Sequence, residues 1–290
     1  MSAVTVTTRP DGVAVLTFDQ PGSKANVLTR ELWTEFGDAL TALAGRTDLK
    51  GLVLASAKPD VFIAGADLKL LANAPGPNDP EVRAFIEQGL RVLERLEALP
   101  FPTCAAIDGA ALGGGLEVAL ACDSRVCGTN PKVQLGLPEV GLGLIPGWGG
   151  TQRLPRIVGL RGAAEMVTNG QSVDARQAAT HGLLHAVYDA PALPVLVDNA
   201  AVTIAKPGIA ALCFEQRAKK LQPLPAEQRA AFEASTVTTH AQSEAMRVML
   251  DGAKRPLYEG IKLETEAFMR LAGSPRSKQR IAEFFASRKK

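Results

Sequence analysis

The sequence predicts an α/β protein, with a layered core over residues 1 to about 190 and a helical region over 191–290. Two observations carry this. Strand and helix signals alternate as far as about residue 190. Beyond Leu193 the strand alternation stops while helical periodicity continues.

The elements follow in order. Val4, Val6 and Thr8, then Asp11-Gly12, then Val13, Val15 and Thr17 read as a β-hairpin, two alternating runs joined by a turn dipeptide. Thr29 is placed to cap a helix whose Leu32, Phe36, Leu40 and Leu43 share one face. Gly51–Ala55 is an apolar strand. Asp79-Pro80 opens a second helix, Asp as cap and Pro at the first position, with Phe85, Ile86, Leu90, Leu93 and Leu96 as its stripe. Pro100 and Pro102 end it. Thr103–Ile107 is a strand, and a Gly-rich loop leads into a short helix over about Gly114–Ala121. The pattern recurs more loosely at Leu160–Thr168 and Asp174–His181, with Gly182 as a helix stop, before a short strand at Leu184–Val187. In the last third, Pro223 and Pro225 mark a break, and Leu257, Ile261, Phe268 and Leu271 fall at helical spacing.

Composition narrows the function classes. With 290 residues, 46% hydrophobic and 21% charged, the chain can bury a sizeable core and is unlike a disordered one. A net charge of +2 gives no sign of a nucleic-acid partner. Cys104, Cys122, Cys127 and Cys213 form no CxxC pair and read as buried, reduced thiols. Met1–Thr8 has no signal-peptide pattern, and no apolar run is long enough to span a bilayer. No membrane contact is expected, and the cytoplasm is the expected location.

Three segments carry chemistry. Ala64-Gly65-Ala66-Asp67-Leu68-Lys69 offers a small, open backbone. Gly113-Gly114-Gly115 precedes a helix and exposes N–H groups that lack partners within the helix, at the positive end of its dipole. Such a site suits an oxyanion; taken alone, a tight turn that lets strand and helix pack closely is the better explanation of the glycines. Glu117 follows in an otherwise apolar stretch, where poor hydration suits a carboxyl to proton transfer. The third segment runs from Pro138-Glu139 to Gly147-Trp148-Gly149-Gly150-Thr151-Gln152-Arg153. Taken singly, Glu117 and Glu139 are ordinary surface glutamates or caps.

Together the three segments resemble the crotonase family of enoyl-CoA hydratases, isomerases and relatives. They stand in the family's order, and the resemblance runs from the hairpin to about Val187 and again over Pro256–Lys290. It implies a spiral of ββα repeats with a C-terminal helical region that forms trimers or paired trimers and covers the site. It implies that Ala66 and Gly114 donate N–H groups to a thioester oxygen. Glu117 and Glu139 match the hydratases' glutamate pair, with Glu139 as acid–base at the α-carbon and Glu117 orienting water. Ala64 to Lys69 match the acyl-CoA channel, and the neighbourhood of Lys24 and Ala25 resembles the hydratase part of multifunctional fatty-acid oxidation subunits. Coenzyme A enters as part of the substrate; no other cofactor and no metal is expected.

Two glutamates favour hydration over double-bond migration, the alternative reading, and over a non-catalytic scaffold or RNA-binding protein on the same fold. Gly147-Trp148-Gly149 is not a dinucleotide fingerprint, because Gln152 stands where the last Gly belongs. Trp148 either shapes the acyl pocket or is a core or subunit contact. His181 and His185 read as structural, since Gly182 interrupts any shared helix. Lys219-Lys220 and Arg288-Lys289-Lys290 read as solvated charge.

Overall fold

In a computed structural model the chain is mixed α/β. The structure describes residues 2–190, 192–206, 208–209 and 238–287, with single positions at 211, 215 and 230. Pro223, Pro225, Cys213, Lys219-Lys220 and Arg288–Lys290 lie outside the described residues.

The N-terminal hairpin forms as its alternation predicts. Strands β1 (Val4–Thr8) and β2 (Val13–Phe18) pair antiparallel, Val4 opposite Phe18. Helix α1 (Arg30–Ala44) starts at Thr29, whose side chain accepts the Leu32 N–H, and it buries Leu32, Phe36, Leu40 and Leu43. Next come β3 (Gly51–Ser56), β4 (Asp60–Ile63), α2 (Leu68–Asn73) and α3 (Pro80–Glu97), where Asp79 accepts the Val82 N–H. The third group is β5 (Thr103–Ile107), β6 (Gly109–Leu112) and α4 (Gly114–Ala121). The fourth is β7 (Ser124–Gly128), β8 (Gln134–Gly136), a 3-10 turn at Glu139–Leu142 and α5 (Gly150–Asn169). Then follow α6 (Ala175–Thr180), begun by an Asp174 capping box, β9 (Ala186–Tyr188) and α7 (Leu193–Ile204). Helices α8 (His240–Gly252), α9 (Leu257–Leu271) and α10 (Pro275–Ser287) close the described chain.

From β3 onward, successive strands alternate between two sheets. A six-stranded sheet runs β1-β2-β3-β5-β7-β9, parallel from β2 onward, and a three-stranded sheet runs β4-β6-β8. This is the ββα spiral that the resemblance implies. Gly109–Leu112 is strand β6 rather than part of a Gly-rich loop. Ala and Gly have little strand preference of their own, so pairing with β4 decides it.

Two compact units emerge. Unit 1 comprises Met1–Ala66, Gln88–Leu135 and Val173–Arg217; unit 2 comprises Asp67–Glu87, Gly136–Ser172 and Ala218–Lys290. In unit 1, Leu196, Ala200 and Ile204 of α7 pack on Val13, Val53, Cys104 and Val126 of the large sheet. So α7, although it lies beyond residue 190, belongs to the layer that covers that sheet. An aromatic cluster tightens the same unit, with the Phe18 ring edge-on to Phe36 at 5.1 Å and to Phe62 at 6.3 Å. In unit 2, α5 packs on α8 and α9, while α10 packs on α2 and on the 3-10 turn. Among the described residues, no helix is long and apolar enough to cross a membrane.

Candidate active site

In unit 1 the glycines at the start of α4 have separate reasons. Gly113 is the N-cap and adopts φ 54°, ψ −126°, a conformation that disfavours any Cβ. Gly115 faces the end of β4, where an added Cβ would overlap the Ile63 carbonyl. Both therefore serve turning and close packing. The helix's own bonds to the cap begin with the N–H groups of Leu116 and Glu117, which donate to Gly113 O at 2.9 and 3.0 Å. The Gly114 N–H precedes them and has no carbonyl within the helix to meet.

Ala64-Gly65-Ala66 leaves the end of β4 along the Asn26–Leu28 segment. The Ala64 N–H donates to Asn26 O, and the Leu28 N–H donates to Gly65 O, both at 2.9 Å. Neither bond uses the Ala66 N–H. Gly65 has φ 109°, and an added Cβ would lie 3.2 Å from Leu112 O. The two Gly/Ala segments thus meet backbone to backbone, Gly65 beside Leu112 and Gly115 beside Ile63. Lys24 and Ala25 lie just before Asn26; Lys24 is exposed and Ala25 half-buried.

Glu117 is in the first turn of α4 and only 1% exposed. Burial of an ionisable group at this depth is costly unless the group is paired or hydrogen-bonded. The far end of the same helix is closed by Arg125, itself buried, whose Nη1 donates to Ala119 O at 3.2 Å and Cys122 O at 2.9 Å. Its Nε donates to Leu183 O at 2.9 Å. A cation at a helix C-terminus complements the dipole there. Behind it, His185 Nδ1 accepts the Arg125 N–H at 3.3 Å. Burial, and then the Arg125 charge, lower the His185 pKa to about 4, so this imidazole is neutral at physiological pH, as a structural His would be.

The remaining positions belong to unit 2. The Asp67 carboxylate caps α2 by accepting the Lys69 N–H at 3.0 Å; Leu68 is half-buried and Lys69 exposed. Glu139 opens the 3-10 turn and is partly buried; its carbonyl accepts the Leu144 N–H at 3.0 Å across Gly143, whose φ is 70°. Trp148 is 2% exposed, donates from Nε1 to Ile86 O at 3.0 Å and meets the Phe85 ring edge-on at 5.3 Å. These are the contacts of a core residue. The loop that carries it is held by Glu264, fully buried, which accepts the Gly149 N–H at 2.5 Å and the Thr151 N–H at 2.8 Å. Sequence reasoning missed Arg125 and Glu264, since a lone Arg in a short strand and a Glu in an amphipathic helix carry no local signal.

The sequence model described as enoyl-CoA hydratase/isomerase matches residues 8–257. An enoyl-CoA hydratase from Geobacillus kaustophilus is 27% identical, with 99% of this chain and 95% of that one covered and a TM-score of 0.65. An enoyl-CoA hydratase from Bacillus anthracis is also 27% identical, over 99% and 97% of the two chains, with a TM-score of 0.63. An enoyl-CoA hydratase from Bacillus halodurans, 22% identical over 97% of this chain and 100% of that one, shares the fold with a TM-score of 0.73. With the family's sequence pattern matched over most of its length, the chain belongs to the enoyl-CoA hydratase/isomerase, or crotonase, family.

Proposed function

We propose that this protein adds water reversibly to a 2-enoyl-CoA, giving a 3-hydroxyacyl-CoA. The observation that carries the reading is Glu117, a buried carboxylate on the helix whose first residue, Gly114, has no helical partner for its N–H. The second donor is Ala66, and the second carboxylate is Glu139, matched by its Pro-Glu motif.

Charge flow assigns the roles. The conjugated thioester is electrophilic at its β-carbon. Water attacks there, forms the C–O bond, and gives one proton to the carboxylate pair. The C=C electrons move to the thioester oxygen, which receives the N–H groups of Ala66 and Gly114. Each such donor is worth roughly 3 kcal/mol in the transition state. Glu139 then protonates the α-carbon, so the pair ends with the protons it began with, while Glu117 orients the water. Coenzyme A arrives with the substrate, and the reaction needs no further cofactor. The active form is a trimer or a dimer of trimers, as the resemblance implies.

Crotonyl-CoA tests the reading. Its conjugated-thioester absorbance should fall on mixing with the protein. Wild type that leaves crotonyl-CoA and longer 2-enoyl-CoAs unchanged, but converts a 3-enoyl-CoA, would replace hydration with isomerisation.

A further inference from the structure

We propose that Asn26, which touches no substrate in the mechanism above, is the positioning residue for the Ala66 N–H. This rests on the reading of Ala66 and Gly114 as oxyanion donors. Asn26 is 0% exposed. Its Nδ2 lies 3.2 Å from Phe18 O at the end of β2, 2.9 Å from Ser56 Oγ at the end of β3, and 3.1 Å from Phe62 O in β4. Two hydrogens thus serve three acceptors. Its Oδ1 accepts the Gln20 N–H at 2.9 Å, and the Gln20 side chain accepts the Val27 N–H at 2.9 Å in return. The Asn26 carbonyl holds the Ala64 N–H, and Leu28 holds Gly65 O.

Residues 62, 64 and 65 are therefore each tied to the 26–28 segment immediately before Ala66. Gly65 also lies against Leu112, two residues ahead of Gly114. One buried carboxamide joins three strand ends and sets where the Ala66 N–H stands beside the Gly114 N–H. A donor pair aimed at a developing charge loses its effect when displaced by a fraction of an ångström.

The test compares wild type with Asn26→Ser and Asn26→Asp in the full chain. Steady-state rates on crotonyl-CoA are measured together with the absorbance of bound 4-(dimethylamino)cinnamoyl-CoA, which moves to longer wavelength as the thioester carbonyl is polarised. Folded variants should lose about tenfold to a hundredfold in kcat. KM should stay within about threefold, and the bound probe's red shift should shrink. Wild-type kcat, a change in KM alone, or a full red shift in a folded variant overturns the proposal. If neither variant folds, Ser56→Ala, which removes one acceptor of the carboxamide, decides by the same readouts. A wild-type protein that binds the probe without any red shift instead overturns the oxyanion reading itself.

Discussion

The Glu264 carboxylate accepts both the N–H of Thr151, at 2.8 Å, and its hydroxyl, at 2.5 Å, across 113 residues of sequence. The same carboxylate takes the Gly149 N–H, so a side chain from α9 caps the start of α5. A buried carboxylate at that helix end meets the positive end of the dipole together with these N–H and O–H donors. Glu264→Gln should cost about 1–2 kcal/mol of stability, and Glu264→Ala about 3 kcal/mol. Urea unfolding of both variants measures this. A loss below about 0.5 kcal/mol for the alanine variant would show that the cap contributes little.

Glu139→Gln and Glu117→Gln test the chemistry rather than the fold. Each keeps the shape of the side chain and removes its ability to exchange a proton. General acid–base groups contribute about 10²- to 10⁴-fold, and losses of that size are expected in kcat. Unchanged melting curves separate this from unfolding. An active Glu139→Gln variant would remove Glu139 from the α-carbon step.

Much of this was legible because it is local. Thr29 and Asp79 each cap a helix by accepting an N–H three residues on, and the hairpin register follows from alternation around Asp11-Gly12. The three chemical segments were legible as motifs. Their supports were not. Asn26 reaches Ser56 and Phe62, Arg125 reaches Leu183, and Glu264 reaches Thr151, all partners that only the folded chain brings near. Strand β7 was hidden for a related reason: buried Arg125 interrupts its apolar run. The residue that breaks the dinucleotide fingerprint also has its own use. Gln152 is fully buried, and its amide lies where a Cβ on Gly252 or Gly260 would otherwise stand.

His185 makes stability depend on pH. Its ordinary value of 6.5 falls to about 4 in the folded chain. Between these values the unfolded chain binds a proton that the folded chain does not. The contribution is therefore full above about pH 6.5 and is lost as pH falls toward 4, by up to about 3 kcal/mol. His185→Gln keeps an acceptor for the Arg125 N–H and removes the titration. Urea melts across this window should give a shallower fall for the variant than for wild type; equal slopes would assign the acid sensitivity elsewhere.

Gly115 and Gly141 make a matched pair of opposite expectation. A methyl group on Gly115 would overlap the Ile63 carbonyl, a backbone atom fixed by the packing of β4 against α4. Either the start of α4 must shift away from β4, carrying Gly114 with it, or the unit must loosen. Overpacking of this kind costs about 1–3 kcal/mol, and a displacement near 1 Å at a catalytic donor costs on the order of a hundredfold in rate. Gly115→Ala should therefore reduce both stability and hydration of crotonyl-CoA. A Cβ on Gly141 meets nothing within 4 Å. That residue lies two positions beyond Glu139, in the same 3-10 turn, yet Gly141→Ala should leave stability within about 0.5 kcal/mol of wild type. If the rate survives in Gly115→Ala at its wild-type value, the Gly114 N–H is not the donor that its place at the head of α4 suggests.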